Sequence, residues 1–146
     1  MSIIEKVVDD WHRFLRGEHP GGLDELLDDD VVFLSPVVFT PQEGKEITKL
    51  YLSAAGNTLG GDADTEAGPS GDAGKFRYTK HVMSGNQAVL EFETTMDGKH
   101  VNGVDIITCN DEGRITEFRV MIRPLQAVNA VHRRMAAMLE QMQNAG

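Results

Sequence analysis

The chain has 146 residues, 40% of them hydrophobic, and a formal net charge of −9. That fits one globular domain, residues 1–146, around one core, and it argues against nucleic acid or an anionic membrane surface as partner, because both need clustered Lys and Arg. Cys109 is the lone cysteine, which excludes an internal disulfide and a cysteine-based metal cluster.

Ile3, Ile4, Val7, Val8, Trp11, Phe14 and Leu15 recur with helical period. Ser2 and Glu5 match a capping box, and Gly17 is a stop signal. A short helix is expected near 22–27. The acidic run Asp28-Asp29-Asp30 then leads into a strand, Val31 to Leu34, halted by Pro36. Gly44 to about Leu59 reads as a third helix. Residues 60–74 are rich in Gly, Asp, Ala and Ser and hold no large apolar residue, so a flexible loop is expected. Four strands follow, at about 75–84, 87–96, 99–109 and 114–122, with Asp97-Gly98 as a strong hairpin signal. Pro124 opens a C-terminal helix over about 124–143. Helices, a meandering antiparallel sheet and a final helix make an α+β fold. The N-terminus lacks a basic start before an apolar run, so no signal peptide is expected, and no stretch is apolar for long enough to span a bilayer. A cytoplasmic protein is the expectation.

Asp105 lies inside the apolar stretch Val101 to Cys109. Burial disfavours the ionised form of a carboxylate, so its pKa should rise, a property over-represented at functional sites. Counting outward from the hairpin turns pairs Met96 with Lys99 and Leu90 with Asp105. It also pairs Phe92 with Gly103, Thr94 with Val101, and His81 with Leu90. The turn at Asn110 to Gly113 pairs Cys109 with Arg114, Asp105 with Phe118, and Gly103 with Val120. One transverse row then reads His81, Leu90, Asp105, Phe118, on a face shared with Ala88, Phe92, Ile107, Val120 and Ile122. At about 4.8 Å per strand, His81 and Asp105 stand roughly 10 Å apart, so a ligand between them would touch both.

The order of elements resembles the nuclear-transport-factor-two-like superfamily, the cone-shaped α+β barrel of ketosteroid isomerases, SnoaL-like polyketide cyclases and limonene-epoxide hydrolases. The likeness is carried by Asp28 to Pro36, by Gly44 to Tyr51 and by Asp105 to Ile115. It implies a hydrophobic pocket for a small molecule. Ketosteroid isomerase holds a substrate carbonyl with a tyrosine and a protonated aspartate and moves a proton with a second aspartate. Asp105 falls at the protonated aspartate, and Tyr51 near a supporting tyrosine. Serine stands at the base position, Ser35, and Trp11 or His12 at the oxyanion tyrosine. Gly103 stands where an epoxide hydrolase would carry arginine, so each of these catalytic sets is incomplete.

The candidate catalytic residues are therefore Asp105, as acid or oxyanion donor, and His81, as base. Trp11, Tyr51, Leu90, Phe92, Phe118 and Val120 are the expected substrate-binding walls. Asp105 has a structural alternative, a buried polar group bonded to Tyr51, His81, Trp11 or a water. His81 has one too, as an exposed strand histidine. No metal-ligand spacing and no phosphate-binding glycine loop is present, so neither metal nor cofactor is expected. Three functions remain open: a proton-transfer enzyme on a carbonyl compound, a non-catalytic binding module, or an epoxide-hydrolase-like enzyme. A homodimer through the outer sheet face is the expected assembly.

Overall fold

A computed structural model describes residues 2–58 and 76–145. The expected loop over 60–74 lies outside the described residues. Helix α1 (Ile3–Leu15) buries Ile4, Val7, Val8 and Trp11. Ser2 Oγ accepts from the Glu5 amide at 3.3 Å, but the Glu5 carboxylate takes the Ser2 hydroxyl instead of the Ser2 amide, so the box is half formed. Gly17, at φ +74°, ends the helix. The Glu18 amide reaches Arg13 O and the Gly17 amide reaches Phe14 O, the pairing of a Schellman cap.

Helix α2 (Gly22–Leu26) runs directly into strand β1 (Leu27–Leu34). The strand starts at Leu27, earlier than the hydrophobic pattern suggests, because Leu27 pairs with Ile115 and is fully buried. Asp28, Asp29 and Asp30 fill an irregular stretch that the pairing skips. Strand β2 (Gln42–Glu43) is too short to carry a periodic signal. Helix α3 (Lys45–Thr58), strands β3 (Arg77–Ser84), β4 (Gln87–Met96), β5 (Lys99–Cys109) and β6 (Ile115–Arg123), and helix α4 (Leu125–Ala145) complete the chain. The sheet order is β2-β1-β6-β5-β4-β3, antiparallel except for β1 with β6, and it does not close. The fold is α+β, as expected. The inner face of the sheet holds Leu90, Phe92, Ile107 and Phe118, packed with Ile4, Val7 and Trp11 of α1 and with Ala127, Ala130 and Val131 of α4.

Between β4 and β5 every expected pair is found, including Leu90 with Asp105 and Phe92 with Gly103. His81 pairs with Leu90 as expected. Between β5 and β6 the expectation fails by two residues: Asp105 faces Val120, not Phe118, and Gly103 faces Ile122, not Val120. Two local features add up to that shift. The turn is wider than assumed, closed by the Asn110 amide on Arg114 O at 2.9 Å, so Cys109 pairs with Ile115 and not Arg114. A bulge then separates this pair from Thr108 with Glu117, leaving Thr116 extra. An even shift preserves the face, so Phe118 and Val120 still point inward, and the row reads His81, Leu90, Asp105, Val120.

Candidate functional site

A cavity of about 720 Å³ opens between the inner sheet face and the helices. Trp11 and Phe14 of α1, Phe33 of β1, Phe76 and Tyr78 at the start of β3, and Phe92 and Phe118 of the inner sheet supply its aromatic wall. Val131 and Met135 of α4 also line it, so the C-terminal helix forms one side.

Five of the residues singled out in the sequence line this cavity: Asp105, Trp11, Phe92, Phe118 and Val120. Three lie outside the lining. Leu90 is 0% exposed, sunk in the packed core beside its neighbour Asp105. Tyr51 sits one layer back, its ring against Phe33 at 5.3 Å. His81 shares the row of Asp105 but lies on an edge strand, exposed, with its Nε2 3.0 Å from His12 Nε2. The cavity extends toward Phe92, Ile122 and Tyr78, whereas His81 is three residues further along β3, outside it.

Asp105 is 5% exposed and its bonded partner is Tyr78, none of the partners anticipated. The Trp11 indole N–H donates to Tyr78 Oη at 2.9 Å, and the Tyr78 hydroxyl donates to Asp105 Oδ2 at 2.5 Å. Burial pushes the Asp105 pKa up to about 7, against the opposing effect of the Tyr78 bond. Burial first, and then the Asp105 charge and hydrogen bond, raise the Tyr78 phenol well above its ordinary value. Near neutral pH the site thus holds a phenol and a carboxyl group divided between its acid and ionised forms; below that pH both are proton donors.

Tyr78 escaped the sequence reading for a specific reason. Unbroken counting from Ser84 with Gln87 sets Tyr78 against Glu93, on the outer face. A bulge at Thr79 pairs Tyr78 with Phe92 instead and turns the ring inward. The one available signal was the alternation of Phe76 and Tyr78 around Arg77 at the start of the strand. His12, which the resemblance offered beside Trp11 at the oxyanion-tyrosine position, also lines the cavity.

Ser35 lines the cavity too, but its Oγ accepts from the Val37 amide at 3.1 Å. At Gly103 an added Cβ would stand 2.5 Å from Phe92 Cζ and 2.6 Å from the Met121 carbonyl oxygen. No larger side chain fits there while Phe92 lies across the strand. Among the described residues no three His, Cys, Asp or Glu side chains gather as a metal site, and no helix is long and apolar enough to cross a membrane.

The architecture has close counterparts among solved structures. A steroid delta-isomerase from Pseudomonas aeruginosa superposes with TM-score 0.83 at 26% identity, covering 99% of this chain and 96% of that one. A protein with a cystatin-like fold from Silicibacter pomeroyi matches with TM-score 0.65 at 28% identity, over 79% of this chain and 72% of its own. An NTF2-like protein of unknown function from Mesorhizobium loti matches with TM-score 0.64 at 21% identity, over 85% and 96%. The chain has the nuclear-transport-factor-two-like fold. No family model matches it, and no curated protein matches it in sequence. The site departs from the pattern that the sequence resemblance implied: the phenol bonded to the buried aspartate comes from the edge strand β3, and α1 presents Trp11 as that phenol's own donor.

Proposed function

We propose that the protein binds an apolar ketone with its carbonyl oxygen on Asp105, as an isomerase- or cyclase-like proton-transfer enzyme. One observation carries this reading: the Tyr78–Asp105 hydrogen bond of 2.5 Å in the wall of an aromatic cavity. With Asp105 protonated, Trp11 N–H, Tyr78 O–H and the carboxylic acid form a line of donors ending on the ligand oxygen. Each link polarises the next in a low-dielectric site. The line stabilises negative charge as it develops on that oxygen, which is the requirement for enolisation. A volume of about 720 Å³ lies in the usual range for drug-sized ligands. Similarity to a steroid delta-isomerase supports a polycyclic ketone as the ligand class.

A second reading, a binding module without chemistry, is favoured by Ser35, whose hydroxyl is committed to the backbone where the superfamily's isomerases carry their base. The epoxide-hydrolase reading has no support, because Phe92 fills the space that a side chain at position 103 would need. For assembly, we propose a homodimer through the outer sheet face, where Val82, Val89 and Met121 are exposed; sedimentation as a monomer at micromolar concentration would remove that proposal.

The ligand test uses 2-naphthol, whose phenolic oxygen imitates an enol, followed by quenching of the Trp11 indole. Asp105→Leu should weaken binding about tenfold, on the order expected when a buried polar group is left without its partner. Binding should also fade above pH 7 as Asp105 ionises and loses its donor. Equal affinity in the variant would overturn the proposal.

A further inference from the structure

A line of donors on the carbonyl is half of a proton-transfer site; the other half is an acceptor for the carbon-bound proton. Ser35 cannot serve, because serine has no useful basicity near neutral pH and its hydroxyl is held by Val37. Of the described residues lining the cavity, the titratable ones are Asp105, Tyr78, His12, Arg16 and Arg77. Asp105 and Tyr78 are the donors, and Arg16 and Arg77 are cations, each paired with a glutamate. Among the described lining residues His12 alone is left with basicity in the useful range.

We infer that His12 is the catalytic base of this site and that His81 is the positioning residue that passes its proton to solvent. Three geometric facts support this. His12 lines the cavity, and its ring stands edge-on to Tyr78 with centroids 5.1 Å apart, so it sits beside the phenol–acid pair. Its Nε2 lies 3.0 Å from His81 Nε2, a distance that requires one proton shared between the rings and leaves Nδ1 of His12 for substrate. His81 is exposed on an edge strand, so a proton arriving there reaches water.

The groups facing His12 are Asp9 and Arg16 on its own helix and Tyr78 and His81 on β3. Burial, followed by His81 and Arg16, holds the imidazole below its ordinary pKa, against the pull of Asp9, so it is a neutral base at pH 7. In the step itself, His12 Nδ1 takes a proton from the carbon next to the carbonyl. The C–H electron pair becomes the C=C bond of the enol, and the carbonyl π pair moves onto oxygen, which receives the Asp105 proton. The Nε2 proton of His12 shifts to His81 Nε2. Return of a proton to carbon, with Asp105 reprotonated, closes the cycle with no other reactant.

This inference rests on the ketone-binding reading, and the experiment separates the two. The probe is 2-tetralone in deuterated buffer, with exchange of its hydrogens next to the carbonyl followed by NMR in the presence of the full chain. Wild type should accelerate exchange over buffer, and His12→Gln should lose roughly a hundredfold or more, the usual worth of a positioned base. Exchange in wild type should fall as acid protonates His12, and that limb should vanish in the variant. His81→Gln should lose about tenfold, with a changed pH profile. Free imidazole should restore exchange to His12→Ala, a rescue that a purely structural role does not give. Binding of 2-naphthol should survive both His12 substitutions, which reports that the cavity is intact. No acceleration by wild type, or full exchange in His12→Gln, overturns the inference. Loss of the Asp105 effect on 2-naphthol overturns the ketone-binding reading instead.

Discussion

The deep end of the cavity and its mouth use the same kinds of polar group to opposite effect. At the deep end, Trp11, Tyr78 and Asp105 are joined by bonds of 2.9 and 2.5 Å among aromatic rings, and burial is the largest influence on both titratable members. At the mouth, Arg16 meets Glu18 at 3.0 Å with side chains 55% and 59% exposed, where water screens the attraction. The lesson is that solvent exclusion, more than the inventory of charges, decides which group is poised for chemistry.

The largest consequence concerns Asp105. Its pKa is about 7 in the folded chain against 3.8 as the ordinary value. Between those values the native state holds more protons than the unfolded state, so its contribution to stability falls as pH rises from about 4 to 7, then levels off. Asp105→Asn removes this penalty. Its stability relative to wild type should improve by about 2–3 kcal/mol between pH 5 and pH 8 in chemical denaturation. A difference independent of pH would mean that the carboxyl is ionised in the folded state throughout.

A smaller effect separates packing from hydrogen bonding at Tyr78. Tyr78→Phe keeps the edge-on contact with Phe76 at 5.0 Å but removes the acceptor for Trp11 and the donor for Asp105. The expected cost is about 1–2 kcal/mol at pH 5. Because the Tyr78 bond lowers the Asp105 pKa, the carboxyl should titrate higher still in this variant, as read from its infrared C=O band. An unchanged midpoint would show that the bond does not influence the acid.

The smallest effect belongs to the mouth. Arg16→Gln should change stability by no more than about 0.5 kcal/mol, and less at high salt. It should nonetheless raise the titration midpoint of His12, since Arg16 is one of the groups holding that imidazole down. NMR of the His12 ring would follow it, and an unmoved or lower midpoint would contradict the placement of Arg16.

Much of the fold was legible because its signals are local. The 3.6-residue period of Ile4, Val7, Val8 and Trp11, and the Asp97-Gly98 turn, which sits at φ +53° and +76°, each follow from neighbouring residues. The β4–β5 register follows from that turn and brings Asp105 to the inner face. The site was legible only in part. Asp105, Phe92, Phe118 and Val120 line the cavity because strand alternation carries them inward, and Trp11 because the helical period of α1 does. Tyr78 was lost to the bulge at Thr79, and Leu90 and His81 stand outside the cavity lining because a shared row does not imply a shared cavity.

By itself the chain determined the α+β architecture, the face of each central strand and the dry location of one acid group, since apolar periodicity and turn chemistry act over a few residues. Only the tertiary structure decided what that acid touches. The partner comes from a strand 27 residues away, turned inward by one extra residue, and the donor behind it from a helix 67 residues from that strand residue. A bulge costs little and leaves almost no mark on hydrophobic pattern, yet it reverses the face of every residue beyond it.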